Sequence, residues 1–256
     1  MKDLRIVIPA LDEESGIGEV IDRALKACPE AEVVVVDDGS KDRTAEIARG
    51  KGVKVISNPT NYGKGGATKV GFKYNSRSHI NYLAFIDGDN TYPPESLPEL
   101  YRLCNEEHIE IAVASRFLGK NEGMPRMRRI GNKIFAILLS FYSGRRTTDT
   151  STGMRVFNAR LLPVVEPLPN GLDFDTAMTT IALFEGLSYI EIPIEYYDRA
   201  GDSKLNNLKD GYRFLKVIMN TTRRHKPLLF YCTLGIPFLL IELLIKVDST
   251  LRTRHE

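Results

Sequence analysis

The stretch Glu32-Val33-Val34-Val35-Val36-Asp37-Asp38-Gly39-Ser40 decides the fold class, because four consecutive valines end in two acids and a tight turn. β-Branched residues favour strands, and a run that is apolar at every position is typical of a strand covered on both faces. Such strands form parallel sheets between layers of helices, and ligands bind beyond the carboxyl ends of the strands. We therefore predict an α/β protein with its site near Asp37 and Asp38.

The same pattern recurs along the first 115 residues, where short apolar runs alternate with amphipathic stretches. Strands are predicted at Leu4–Pro9, Glu32–Asp38, Val53–Ser57, Tyr82–Asp87 and Glu110–Ser115. Helices are predicted at Gly18–Cys28, Asp42–Lys51, Gly66–Ser76 and Pro94–Glu106. This alternation predicts a doubly wound, mostly parallel sheet with helices on both faces. Further along, we predict a helix at Asp173–Glu185, a strand at Tyr189–Tyr196 and a helix at Leu205–Thr222.

Composition narrows the class of protein. The 256 residues suit one large domain, alone or with a short appendage. With 35 Lys and Arg against 33 Asp and Glu, the formal net charge is +2, whereas a domain held to nucleic acid by bulk attraction is usually far more basic. The widely spaced Cys28, Cys104 and Cys232 favour a reducing compartment over a disulfide framework. No secretory signal pattern is visible at the start.

Two apolar segments are candidates for contact with a membrane. Pro227–Ile245 has Glu242 as its single charge, and nineteen helical residues rise about 28 Å, near the hydrocarbon thickness of a bilayer. Pro237 and Glu242 weaken a crossing, so a dip into one leaflet and a buried helix stay open. The basic stretch Arg223–Lys226 before it is typical of a cytoplasmic flank. The apolar helix Ile130–Tyr142 has basic ends, which favours an interfacial position, although a core helix would be equally apolar.

The sequence Asp87-Gly88-Asp89 is the strongest indication of a metal site. It follows the apolar strand Tyr82–Ile86, and residues i and i+2 at a strand end point to the same side. Two such carboxylates can share one hard divalent cation, which the phosphates of a substrate complete. The alternative is a pair of solvated loop acids.

Further motifs suit a nucleotide. Asp37 and Asp38 could accept hydrogen bonds from a nucleoside, or cap the helix that follows them. The loop Asn61–Ala67 is neither a Walker loop nor a G-x-G-x-x-G turn, but it could offer backbone N–H groups and Lys64 to a phosphate, or be a bare turn. Ser115-Arg116 and the loop Arg199–Lys204 could clamp phosphates, or be solvated charges. The four histidines lack the spacing of zinc ligands or of a catalytic triad.

Taken in order, these motifs resemble one family, the family 2 glycosyltransferases of the GT-A fold. Within it the chain is similar to the polyprenol-phosphate hexosyltransferases, of which dolichol-phosphate mannosyltransferase is the best-known type. The resemblance covers Leu4 to Leu205. It rests on seven motifs: Ile8–Glu14, Val35–Ser40, Asn61–Gly65, Asp87–Asp89 with Pro93–Glu95, Ser115–Phe117, Asp149–Arg155 and Arg199–Leu205.

The resemblance implies a role for each matching residue. The nucleoside would be held by Pro9, Leu11, Glu13, Val36 and Asp38. The metal, Mg²⁺ or Mn²⁺, and the diphosphate would be held by Asp87, Gly88 and Asp89. The phosphates would be faced by Arg116, Arg199 and Lys204, and Arg129 would reach the phosphate of the acceptor. Thr91 stands where the family often has a glutamine ligand, and Leu11-Asp12 stands where it usually has Tyr-Asn.

The implied reaction transfers a hexose from a nucleoside diphosphate to a polyprenyl (dolichyl) phosphate at the cytoplasmic face of a membrane. A phosphate monoester has a second pKa of about 6, so it attacks as a dianion and needs no general base. Direct attack inverts the anomeric centre. GDP-mannose, UDP-glucose and UDP-N-acetylglucosamine stay open as donors.

Two other functions are compatible with the same motifs. One is transfer to a hydroxyl of a glycan or protein, which would need Asp173 or Asp175 as a base. The other is a non-catalytic subunit that binds a nucleotide sugar. For domain organisation we predict a catalytic domain over 1–226, with an interfacial helix at about 126–143, and a membrane-associated segment and tail over 227–256.

Overall fold

Seven strands among the described residues form one mixed sheet, and the apolar runs of the sequence predicted six of them. The computed structural model describes residues 1–74, 79–119, 124–199 and 207–235. The strands are β1 (Leu4–Ala10), β2 (Glu32–Asp37), β3 (Lys54–Ser57), β4 (Tyr82–Ile86), β5 (Ile111–Ser115), β6 (Met154–Asn158) and β7 (Tyr189–Pro193). Their order in the sheet is β3-β2-β1-β4-β6-β5-β7. The five strands predicted in the first half are all present, with ends shifted by one residue at most.

Helices cover both faces of this sheet. They are α1 (Ile17–Ala27), α2 (Thr44–Gly50), α3 (Lys64–Lys73), α4 (Leu97–Glu106), α5 (Arg126–Ser143), α6 (Leu162–Val165), α7 (Phe174–Phe184) and α8 (Asn207–His225). The alternation along β2 explains the two layers, because Val33 and Val35 pack with α1, α2 and α4, whereas Val34 and Val36 pack with α3, α6 and α7. Both sets are buried, so the strand is apolar at every position.

Strand β6 was not predicted, and it makes the sheet mixed. It runs antiparallel to β4 and β5, with Val156 paired to Ala84 on one side and to Ala112 on the other. A charged residue, Arg155, interrupts its apolar run, yet the side chain is fully buried. The guanidinium donates to the hydroxyl of Thr179 (3.2 Å) and to the carbonyl of Thr152 (2.8 Å), and it lies over the ring of Phe85, 5.3 Å from the ring centroid. These contacts make the burial tolerable.

Helix α5 has the bounds predicted at about 126–143, its interfacial position stays a prediction, and its two faces differ. One face packs against α7 and α8 through Leu139 and Tyr142, which are buried. The other face is apolar and exposed, at Met127, Ile130, Ile134, Ile137 and Phe141. The spacing of three and four residues places these five side chains along one stripe of the helix.

The predicted apolar helix at 227–245 is described only in its first half. Residues 227–235 are helical, and they follow α8 after a break at Lys226, whose side chain donates to the carbonyl of Ser143 (2.8 Å). Residues beyond 235, and with them the rest of the predicted segment and tail, lie outside the described part. Within the residues that the structure describes, no helix is both long and apolar enough to cross a membrane. The predicted C-terminal membrane helix is therefore not found there.

Candidate active site

A cavity of about 610 Å³ opens beyond the carboxyl ends of β1, β2 and β4, where a ligand site was predicted. Ten of the predicted site residues line it. They are Pro9, Leu11, Glu13, Asp38, Lys64, Asp87, Gly88, Asp89, Arg116 and Arg199. The fold thus brings together residues up to 190 positions apart in the sequence.

Three other predicted residues do not line the cavity, and one falls outside the description. Val36 is fully buried in the core, so its side chain does not support the predicted contact with a nucleoside. Arg129 donates from Nη2 to the carbonyl of Met124 (3.3 Å), close to the cavity. Thr91 is buried and does not line the cavity. Lys204 belongs to residues 200–206, outside the described part of the chain.

The first ionic cluster of the cavity is built on Lys64. Its Nζ lies 2.6 Å from Oδ1 of Asp87 and 2.6 Å from Oδ2 of Asp175. Burial, together with the charges of Asp89 and Asp175, raises the pKa of Asp87 to about 6 against the opposing effect of Lys64. Burial lowers the pKa of Lys64, but the two carboxylates outweigh that effect and raise it. Lys64 therefore stays charged between two acids.

Gly153 makes room for Asp87. The backbone N–H of Asp87 donates to the carbonyl of Gly153 (3.1 Å), and a Cβ at Gly153 would lie 2.1 Å from Oδ2 of Asp87. The N–H of Gly153 in turn donates to the hydroxyl of Tyr92 (2.7 Å). Strand β6 begins at the next residue, so the unpredicted antiparallel strand fixes the carboxylate at the end of β4.

The second ionic cluster links Asp89 to Arg199 and Glu13. Nη1 of Arg199 lies 2.6 Å from Oδ2 of Asp89, and Nη2 contacts the Glu13 carboxylate. Oδ1 of Asp89 accepts from the hydroxyl of Thr91 (2.6 Å). Thr91 therefore supports the carboxylate, and its role as a metal ligand stays a prediction.

The donor set of these two clusters fits a divalent cation. Four carboxylates, those of Glu13, Asp87, Asp89 and Asp175, face two cations, Lys64 and Arg199, so two negative charges are in excess. Within the described residues no three His, Cys, Asp or Glu side chains form a metal-binding group. Two carboxylates with phosphate oxygens are the environment in which proteins bind Mg²⁺. We call this region, from Glu13 to Asp175, the carboxylate end of the cavity.

The glycine-rich loop is held by the protein itself. Oδ1 of Asp38 accepts from the N–H of Tyr62 and Oδ2 from that of Gly63, both at 2.8 Å. The N–H groups of Gly65 and Gly66 donate to the carbonyls of residues 171 and 170 (3.3 and 3.0 Å). The prediction that this loop offers its N–H groups to a phosphate is therefore wrong for these four groups. Asp38 lines the cavity, but its carboxylate already holds the loop.

Arg116 is anchored by a buried carboxylate. Its Nε and Nη2 each lie 2.7 Å from one oxygen of Asp149, which is fully buried. The rings of Tyr92 and Tyr196 lie against the guanidinium, 5.9 and 5.4 Å from its central carbon. Neighbouring negative charge, chiefly Asp149, raises the pKa of Arg116 against the effect of burial. Asp149 was predicted only as part of a motif, and its partner lies 33 residues away.

A second part of the cavity lies between α5 and α8, where apolar side chains stand beside those of Arg128, Asn132 and Arg213. We call it the helical end. It is lined by Met124, Met127, Gly131, Phe135, Gly211 and Phe214. Phe135 and Phe214 pack edge to face across the two helices, with ring centroids 6.0 Å apart. The exposed stripe of α5 begins at this end, because Met127 belongs to both.

The sequence of the chain is similar to those of known proteins. A model of "Glycosyl transferase family 2" matches residues 5–164. The chain is 37% identical, over 85% of its length and 92% of the relative, to a dolichyl-phosphate hexose transferase of Haloferax volcanii. It is 27% identical, over 85% of its length and 91% of the relative, to an undecaprenyl-phosphate mannosyltransferase of Micrococcus luteus.

Solved structures support the fold. Glucosyl-3-phosphoglycerate synthase of Mycobacterium tuberculosis, in complex with Mn²⁺, UDP-glucose and phosphoglyceric acid, has a TM-score of 0.66 at 21% identity. The match covers 86% of this chain and 79% of that one, which makes the mixed α/β sheet a GT-A-like fold. With the family model covering more than half of the sequence, the chain belongs to glycosyl transferase family 2 and is a glycosyltransferase similar to the dolichyl-phosphate hexosyltransferases.

Proposed function

We propose that the protein transfers a hexose from a nucleoside diphosphate to a polyprenyl phosphate, with a divalent cation and with inversion at the anomeric carbon. One observation carries the proposal: a single cavity joins the acidic carboxylate end to the helical end between α5 and α8, where apolar side chains and two arginines meet. A nucleotide sugar with its cation suits the first, and a phosphate with a hydrocarbon tail suits the second. The names of the relatives, one a dolichyl-phosphate and one an undecaprenyl-phosphate transferase, support the same acceptor class.

The transfer requires that the negative charge developing on the leaving diphosphate be stabilised. An oxygen of the acceptor phosphate forms a bond to the anomeric carbon, while the bond to the donor's diphosphate breaks and the electron pair leaves with the diphosphate. A cation held by Asp87 and Asp89 would supply positive charge for this leaving group. Arg116 and Arg199 line the cavity as further cations, and Asp149 fixes the guanidinium of Arg116 in advance.

No general base is needed for this acceptor. A phosphate monoester is largely a dianion at neutral pH, since its second pKa is about 6, so the site has only to position it. Arg128 and Arg213 line the helical end and are suited to that task, and Arg129, one residue further along α5, stays our candidate for the same phosphate. Lys204 also stays a prediction.

We further propose that α5 lies on the cytoplasmic surface of a membrane, within a catalytic domain that spans 1–226. The exposed stripe of Met127, Ile130, Ile134, Ile137 and Phe141 supports contact with lipid. Basic residues flank it at both ends of the helix, as interfacial helices on anionic leaflets require. The helical residues 227–235 would add to this contact, since Leu228, Tyr231 and Leu234 are exposed.

The test incubates purified protein with Mg²⁺ or Mn²⁺, short polyprenyl phosphates and a panel of radiolabelled GDP and UDP hexoses. We expect one donor to label the lipid, EDTA to stop transfer, and the anomeric proton coupling of the product to show inversion. Free hexose, a labelled glycan in place of lipid, or a retained configuration would contradict the proposal. Digestion of sealed inside-out vesicles should release the domain, whereas right-side-out vesicles should protect it.

A further inference from the structure

The carboxylate of Asp175 has an unmet hydrogen bond beside the place proposed for the donor. Asp175 is 3% exposed and lines the cavity. Its Oδ2 accepts from Lys64, but its buried Oδ1 accepts no hydrogen bond from any residue that the structure describes. A buried carboxylate oxygen without a donor costs free energy, so this arrangement favours a ligand that brings one.

The position of Asp175 relative to Asp87 indicates which part of the ligand would contact Asp175. Both carboxylates lie 2.6 Å from Nζ of Lys64, so these two oxygens are at most twice that distance apart. In the proposed function, Asp87 faces the cation and the diphosphate. The hexose is bonded directly to that diphosphate, so its ring would lie within a few bond lengths of Asp175, and sugar hydroxyls are hydrogen-bond donors.

The backbone around Asp175 is held in place by hydrogen bonds and by packing in the core. Asp175 is in the first turn of α7, where the helix dipole stabilises a negative charge. The preceding loop is fixed by hydrogen bonds from Gly65 and Gly66, and Phe174 and Met178 anchor the helix in the core. Rotation about the Cβ–Cγ bond of an aspartate is soft, so either oxygen can face the cavity while the other keeps Lys64.

We infer that Asp175 accepts a hydrogen bond from one ring hydroxyl of the donor hexose and so selects the sugar. The inference rests on the proposed function and deepens it: Asp175 binds the sugar and takes no proton from the acceptor. It predicts that affinity for the hexose part of the donor depends on Asp175, whereas affinity for the nucleoside diphosphate does not.

The experiment measures, by calorimetry in the presence of Mg²⁺, the binding of the nucleoside diphosphate, of its hexose conjugate, and of conjugates that each lack one hydroxyl. In the wild type we expect one of the deoxy conjugates to bind about 10- to 100-fold more weakly than the parent, the range for a charged hydrogen bond. This arm needs no variant and no lipid.

The matching variant is Asp175→Asn, whose amide oxygen can keep Lys64 while its NH₂ group cannot accept. We expect it to bind the hexose conjugate about 10- to 100-fold more weakly, to bind the nucleoside diphosphate within about threefold, and to lose discrimination against that one deoxy conjugate. Asp173→Asn removes a charge from the same helix end and should retain the discrimination.

The outcomes separate the two hypotheses. If no nucleoside-diphosphate hexose binds the wild type, the proposed function fails and this inference with it. If the parent binds but every deoxy conjugate binds equally well, or if Asp175→Asn weakens the diphosphate and its conjugate by one factor, only the inference is overturned. Normal donor binding with a collapse of kcat would instead assign Asp175 as a base for a hydroxyl acceptor.

Discussion

The two ends of the cavity are built on opposite principles. At the carboxylate end, each acid of the two ionic clusters contacts Lys64 or Arg199, and Gly153 packs closely against the carboxylate of Asp87. At the helical end, α5 and α8 leave apolar side chains in the open, with few polar contacts. The first end is organised before a ligand arrives, whereas the second presents an exposed apolar surface, for which we propose the bilayer as the partner.

This difference has an energetic consequence. Removing one member of a paired, buried cluster leaves an uncompensated charge, so small changes there should be costly. An apolar stripe gains its free energy from area, and each side chain adds a modest, separate amount. Substitutions should therefore have large effects on chemistry at one end and graded effects on membrane binding at the other.

The sharpest test of the carboxylate end is Asp89→Asn. It removes a negative charge that pairs with Arg199, and it takes a ligand from the proposed cation, which is worth several kcal/mol to the transition state. We expect transfer to fall at least about 100-fold, and the Mn²⁺ signal by paramagnetic resonance to show weaker binding. Asp22→Asn, at an exposed ion pair with Lys51, is the matched control. Unchanged transfer by Asp89→Asn would indicate a binding subunit without catalysis.

Gly153→Ala tests whether the same end depends on close packing. A Cβ would meet Oδ2 of Asp87 at 2.1 Å, so that carboxylate must shift away from its place beside Asp89. We expect about tenfold slower transfer, weaker Mn²⁺ binding and a loss of stability of about 1–3 kcal/mol in urea unfolding. Gly50→Ala, where no atom lies within 4 Å of the new Cβ, should have normal activity. Normal Mn²⁺ affinity in Gly153→Ala would show that the carboxylate end tolerates displacement.

A feature of the fold or of the cavity could be predicted from the sequence where it depends on residues that are close together in the chain. The alternation of valines in β2 reports burial on both faces, and i and i+2 spacing places Asp87 and Asp89 together, so the sheet and the acidic strand end were predictable. The heptad-like stripe of α5 was likewise local. These features depend on periods of two or 3.6 residues, which a single sequence displays.

The unpredicted features depend on contacts between distant residues. Lys64 meets Asp175 across 111 positions, and nothing in the glycine-rich loop indicates that its lysine binds two acids instead of a phosphate. Strand β6 escaped prediction because Arg155 interrupts its apolar run, and the partners of the buried guanidinium, the ring of Phe85 and the hydroxyl of Thr179, come from other elements of the fold. Which distant residues contact each other is decided by the folded chain, whereas the spacing of apolar residues is visible in the sequence itself.

Substitutions at the helical end should have smaller effects, and Ile137→Asp tests this expectation. Ile137 is 71% exposed on the stripe of α5, and burying one such side chain in a membrane is worth about 1.5–3 kcal/mol. We expect binding to anionic vesicles to fall about tenfold in a sedimentation assay, with normal transfer to a short, water-soluble polyprenyl phosphate. Leu118→Asp, at an exposed apolar residue outside both helices, should bind vesicles normally. Equal losses in the two variants would refute a specific lipid-facing stripe.

The smallest expected effect concerns a single thiol. Burial raises the pKa of Cys28 to about 11 and that of Cys104 to about 12, so at pH 8 both stay protonated and shielded. Cys232 is exposed on the helical segment 227–235, between Tyr231 and Leu234, and should be the one thiol of the native protein that a maleimide labels at once. If the segment continues the lipid-facing surface, anionic vesicles should slow that labelling several-fold, and Ile137→Asp should restore part of the rate. Equal rates with and without vesicles would confine the lipid contact to α5 and α8, because only the neighbourhood of Cys232 is probed.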